Sequence, residues 1–232
     1  MKLRFAFLFA LSFLILSSVC AQNSNRISLQ FVTLFNQSVL NLRDSVYTIN
    51  DSNQVQFDNL KFYISGIELW NQSKLVWKEP NSFHLVDFSD SNSMKLMLNP
   101  DRELNFSRIK FTLGIDSITH ESGAFGGALD PTKGMYWTWQ SGYINFKLEG
   151  KFRQSKSINN DFEYHLGGYR YPFNTLQNIA LNTTGKKNLS IEFHLKQWLD
   201  EVNIAETKRI MSPGKEAVRL SKALVNCFKI RE

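Results

Sequence analysis

Two-residue alternation of apolar and polar side chains recurs along most of this chain, and few folds other than packed or closed β-sheets can use it. Residues 144–149 show it most cleanly. Ile144, Phe146 and Leu148 point one way; Asn145, Lys147 and Glu149 point the other. Residues 162–166 and 189–195 repeat the scheme. In residues 27–35 the second face turns apolar at Val32 and Leu34, as in a strand covered on both sides at one end. The run Leu60-Lys61-Phe62-Tyr63-Ile64 breaks at Gly66 and resumes as Ile67-Glu68-Leu69-Trp70, the pattern of a bulged strand. Shorter runs at 74–77, 83–88, 94–98 and 108–113 are separated by Ser, Asn, Asp and Pro. So many short strands indicate a β-sandwich or a related barrel. The expected fold is mainly β, a β-sandwich (Greek-key-like) with a short C-terminal helix. Ala217, Leu220 and Leu224 form one stripe of that helix, predicted over 213–226 with Ser212 as its cap and Pro213 in its first turn. A shorter turn of helix is expected over 197–202.

The N-terminus stands outside this pattern. A basic start (Lys2, Arg4) precedes an apolar run over 5–16 and small residues before a cut after Ala21. Residues 1–21 therefore read as a secretory signal peptide, too short for a comfortable membrane span. No later stretch is long or apolar enough to be a transmembrane segment. Residues 22–232 contain no linker or repeat and read as one domain, periplasmic or secreted. Val19 is a poor neighbour for a lipidated Cys20, so a lipoprotein is not expected. Cleavage leaves Cys227 alone, which excludes an intramolecular disulfide and a cysteine-rich zinc site. Cys227 reads as a small buried hydrophobe. The core must then hold the domain, and the 15 of 19 Phe residues that follow residue 21 supply material for it. The formal charge of +6 includes Lys2 and Arg4. No basic run is interleaved with aromatics, so nucleic acid is not an expected partner.

The informative segment is 112–150. Ser122-Gly123, Gly126-Gly127-Ala128-Leu129-Asp130-Pro131 and Gly134 surround Met135-Tyr136-Trp137-Thr138-Trp139. If 135–139 is extended, Met135, Trp137 and Trp139 share one face and form a wall. Such a stripe also serves as ordinary core. The block Gly127 to Pro131, Gly134 to Trp139, Ser141 to Gly150 and His165-Leu166-Gly167-Gly168 resembles the MbnP-like family of periplasmic copper-binding proteins. Weaker likeness extends to residues 62–67, His84-Leu85-Val86-Asp87 and the 211–228 tail.

The resemblance implies a β-sandwich with a mononuclear copper site, Cu(I) or Cu(II), built from histidines and an oxidised tryptophan, kynurenine. It also implies a MauG-type diheme peroxidase as maker of the kynurenine, and an outer-membrane metal receptor as a further partner. On the residues alone, imidazole suits copper and a thioether suits Cu(I). An intact indole only donates its N–H. The candidate ligands are His165, beside Gly167-Gly168, then His84, Trp137, Trp139, Met135 and His120. Asp116 and Asp130 offer oxygen ligands for calcium, a weaker alternative, and also suit helix caps. No Gly-x-Ser-x-Gly elbow, His-Glu-x-x-His helix or phosphate loop is present, so no enzyme is expected. The rival reading is a metal-free cell-envelope module that recognises glycan, peptide or protein through Trp70, Trp77 and the Trp137/Trp139 pair.

Overall fold

The computed structural model describes residues 25–50, 53–140, 142–153 and 160–231. The expected signal peptide and Cys20 lie outside those residues. Fifteen strands are described: β1 Ile27–Phe35, β2 Ser38–Val39, β3 Val46–Asn50, β4 Asn53–Asn71, β5 Lys74–Lys78, β6 Phe83–Asp87, β7 Lys95–Leu98, β8 Arg108–Leu113, β9 Tyr136–Trp137, β10 Gly142–Arg153, β11 Asp161–Gly167, β12 Gln177–Asn182, β13 Asn188–His194, β14 Arg209–Ile210 and β15 Phe228–Arg231. Three short α-helices join them: α1 Ser117–Glu121, α2 Leu195–Leu199 and α3 Lys215–Leu224. No helix among the described residues is long and apolar enough to cross a membrane.

The strands form a β-sandwich. The smaller sheet runs β15-β13-β1, with β2 and β7 sharing the far edge of β1. Its central pair, β1 and β13, is parallel. That suits β1, whose last residues Thr33, Leu34 and Phe35 are all buried, as the apolar second face predicts. The larger sheet is organised by β4, 19 residues long. One edge of β4 carries β10 along its first half and β8 along its second. The other edge carries β3, β6 and β5 in turn. The expected break at Gly66 is real: its φ is +59°, and the pairing with β8 shifts register between Ser65 and Glu68.

The two sheets meet through aromatic rings. Phe62 on β4 lies 5.9 Å from Phe31, 6.0 Å from Phe193, 5.6 Å from Phe228 and 6.4 Å from Phe146, centroid to centroid. The first three contacts are edge-to-face, the geometry that ring quadrupoles favour. Trp198 of α2 is buried and donates its indole N–H to Leu220 O at 2.9 Å, which ties α2 to α3. Ala217, Leu220 and Leu224 of α3 are buried as the stripe predicts. Cys227 is buried too, and loss of hydration pushes its thiol up to about 12.

Three local expectations need correction. The C-terminal helix starts at Lys215 with Gly214 before it, and Ser212 makes no cap. Pro213 lies outside the helix and packs against Gly168, 3.0 Å from where a Cβ there would stand. The turn of helix expected over 197–202 begins earlier, at Leu195. Asn145, assigned outward by alternation, is buried. A register shift between Ile144 and Phe146 lets it accept from Ile115 N (3.0 Å) and donate to Thr175 Oγ1 (2.9 Å).

Candidate metal centre

The glycine- and aspartate-rich stretch before β10 folds into a cap over the outer face of the large sheet. Asp116 caps α1 by accepting from Thr119 N at 2.9 Å. Asp130 caps the 3-10 turn Pro131–Lys133 by accepting from Thr132 N at 2.8 Å. Gly134, left-handed at φ +72°, ends that turn. The chain then returns as β9, pairing Trp137 with Gly142 and Tyr136 with Tyr143 of β10. Tyr63, Leu85, Ile115, Leu129, Met135, Trp137, Tyr143 and Ile144 bury one another there as a second hydrophobic cluster.

Beside this cluster runs a polar row. Register places Asp87 opposite Lys61, Lys61 opposite Lys147, and Lys147 opposite His165, so all four share one face. Lys61 pairs with Asp87 at 2.9 Å and Lys147 with Glu149 at 3.0 Å. Glu149 Oε1 lies 2.7 Å from His165 Nε2, and Asn59 donates to Glu149 Oε2 at 2.9 Å. Burial would raise the Glu149 carboxyl, but the bonds from His165, Asn59 and Lys147 outweigh it and hold the group down to about 2.

His165 is 5% exposed. Its carboxylate partner assigns the ring proton to Nε2 and leaves the lone pair of Nδ1 free. Nδ1 is buried and has no hydrogen-bond partner among the described residues. Two residues further along the same face, the ring of Trp137 lies against Gly167: a Cβ there would stand 2.7 Å from Trp137 Cζ3 and 2.7 Å from Tyr143 O. The Trp137 indole nitrogen is likewise buried and without a partner among the described residues. Gly167 thus seats the Trp137 ring on the strand face that also carries His165, two residues along β11. Gly167→Ala has no room for its methyl, and overpacking of this kind costs about 1–3 kcal/mol. We expect the variant to lower the urea midpoint and shift the tryptophan emission.

The other candidates divide. Met135 is fully buried in the second cluster, as core. Trp139 does not complete a buried wall: β9 ends at Trp137 and a turn follows, leaving Trp139 65% exposed and tilted on Trp137 at 5.8 Å. His120 is buried, with Nδ1 accepting from Tyr143 N at 3.0 Å and its ring stacked on Tyr169 at 4.6 Å. That bond places the neutral ring's proton on Nε2, so neither nitrogen offers a lone pair to a metal. His84 bonds Glu79 Oε2 at 2.7 Å. It stands opposite Ile64 and so takes the face of Val86 and Phe62, toward the sandwich interior. His165 is on the other face with β4 and β10 between, about 14 Å across three strand spacings. The two histidines do not converge. Asp116 and Asp130 act as caps, as their turn-rich surroundings suggest. No group of three or more His, Cys, Asp or Glu side chains among the described residues is placed to hold a metal ion. Trp77 packs partly buried on the main core, and Lys110 Nζ sits 3.7 Å over the Trp70 ring.

Sequence reasoning missed Glu149, Lys147 and Lys61. The signal was present: consecutive strands 144–149 and 162–166 pair as neighbours, which sets Glu149 diagonally across from His165.

No curated protein matches the chain. Among solved structures, MbnP from Methylosinus trichosporium superposes with a TM-score of 0.51, covering 76% of this chain and 78% of that one at 11% identity. That likeness is one of fold. The profile of the MbnP family, in contrast, matches residues 24–212, most of the sequence. The chain belongs to the MbnP family.

Proposed function

We propose that this protein binds one copper ion outside the cytoplasm, for acquisition, buffering or handling of the metal, without turnover. Family membership supports the metal, and one observation carries the site. Glu149 holds His165 by Nε2 and leaves a bare, buried Nδ1 on the face where Trp137 lies. A carboxylate behind a histidine is the arrangement that orients metal-binding imidazoles and raises their basicity. Imidazole suits copper in either common oxidation state.

The residues fit copper only in part, because side chains of ordinary chemistry supply one clear donor here. A kynurenine at Trp137 would supply an aromatic amine in place of the unpartnered indole N–H. That conversion cleaves the indole C2–C3 bond with two oxygen atoms from peroxide, supplied through the proposed oxidant, a MauG-type diheme peroxidase, and hydrolysis then releases C2 as formate, a net exchange of one carbon for one oxygen. His165 would bind the ion, Glu149 would orient His165, and Met135, Tyr143 and Trp137 would exclude water from it. An outer-membrane receptor for the loaded protein belongs to the same reading.

Copper titration with a competing chelator tests this. His165→Ala is expected to weaken binding by more than the roughly 10–100-fold typical of outer-shell changes, and His84→Ala to leave it unchanged. Equal affinity in wild type and His165→Ala would reject the site. The intact mass of the exported protein reports separately on kynurenine.

The rival module reading draws on exposed aromatics near the cap, Trp139 at 65%, Phe125 at 44% and Tyr171 at 97% exposure. Failure of the wild type to compete for Cu(I) or Cu(II) would favour it.

A further inference from the structure

Two lysines of the polar row do more than neutralise carboxylates. The turn Pro131–Lys133 ends in backbone carbonyls that the chain cannot satisfy by itself, because the next residues leave for β9. Lys61 Nζ donates to Lys133 O at 3.3 Å, and Lys147 Nζ donates to Gly134 O at 3.2 Å. Their side chains are only 17% and 14% exposed. Cations at the carbonyl end of a helical turn are favoured by its partial negative charge. Each lysine keeps a carboxylate from the sheet: Asp87 for Lys61, Glu149 for Lys147. Glu149 is also the partner of His165.

We propose that Lys147 and Lys61 are positioning residues that clamp the Met135–Trp137 segment to the sheet face that carries His165, with Lys147 joining the cap carbonyl Gly134 O to the Glu149–His165 pair. This deepens the copper reading and rests on it for its functional arm. The clamp itself belongs to the metal-free protein. Lys147 fixes two things through one ammonium: the height of the segment carrying Trp137 and the orientation of the carboxylate behind His165. A guanidinium can make both bonds; a methionine of similar length fills the space and makes neither.

The test compares wild type, Lys147→Met, Lys147→Arg and Lys61→Met. In the metal-free proteins, amide hydrogen exchange over residues 134–137 is expected to quicken at least about tenfold in Lys147→Met, to quicken less in Lys61→Met, and to return toward wild type in Lys147→Arg. Copper affinity is expected to fall about 10–100-fold in Lys147→Met and to recover in Lys147→Arg. Wild-type exchange and wild-type affinity in Lys147→Met would overturn the clamp. Equal loss in Lys147→Arg and Lys147→Met would overturn it as well, since packing alone would then explain the effect. If Lys147→Met does not fold, Lys61→Met decides the matter through the exchange of the same amides, and wild-type exchange there overturns the clamp. If the wild type binds no copper, the copper reading fails while the exchange data still decide the clamp.

Discussion

Acidification from about pH 6.5 to about pH 4 is expected to remove about 3 kcal/mol of folding stability through His120 alone. Burial drives this: the ring has lost its water, and its ordinary value of 6.5 is lowered to about 4. A depressed histidine binds its proton more readily in the unfolded chain. The stabilisation is therefore complete above about pH 6.5 and is lost as pH falls through the folded value. Protonation also removes the Nδ1 lone pair that accepts from Tyr143 N, the bond that joins α1 to the start of β10. His120→Asn keeps an acceptor near that amide and cannot titrate. Urea unfolding at a series of pH values should show a slope for wild type in this window and a flatter profile for His120→Asn. Parallel profiles would remove His120 from the account.

Phe62→Ala is expected to destabilise the domain by about 3–5 kcal/mol, the range for deleting a buried aromatic side chain. Phe62 sits where the sheets meet, and its ring touches Phe31, Phe146, Phe193, Phe228 and Phe88. Those rings are anchored on five different segments of backbone, so collapse around the missing ring is restricted and a cavity should remain. With Cys227 the only cysteine after residue 20, and buried as a thiol, no disulfide among the described residues offsets that loss. Trp139→Ala is the control. Its side chain is largely in solvent, and its removal should cost no more than about 0.5 kcal/mol. Equal midpoints for Phe62→Ala and wild type would contradict the aromatic interface as the seat of stability.

Alternation was a reliable guide wherever one strand face is core. Residues 27–35 and 108–113 coincide with β1 and β8, and the break at Gly66 is a true bulge. It was silent where pairing, not burial, makes the strand. Gln177–Asn182 lies on the outer edge of β8 with only Ile179 fully buried, so its letters carry little period. Val46–Asn50 and Phe228–Arg231 are short edge strands with the same difficulty. The site was legible in pieces. His165 and Trp137 could be named from the strand and from the glycines around them. That Trp137 lies along the same strand face as His165 could not, because the place of its ring depends on Gly167 leaving space for an indole. The face of His84 depends on its register with Ile64, a long-range pairing that no local pattern reports. Trp139 shows the opposite failure: alternation assumed that the strand continued, and the turn after Trp137 ended it.

Anomalous diffraction at the copper edge from crystals of the exported, copper-loaded protein tests the central claim most directly. The account predicts a single peak within bonding distance of His165 Nδ1, beside residue 137, with Glu149 still on Nε2. A peak at His84 and Glu79, or none near His165 in a protein that has taken up copper, would contradict it.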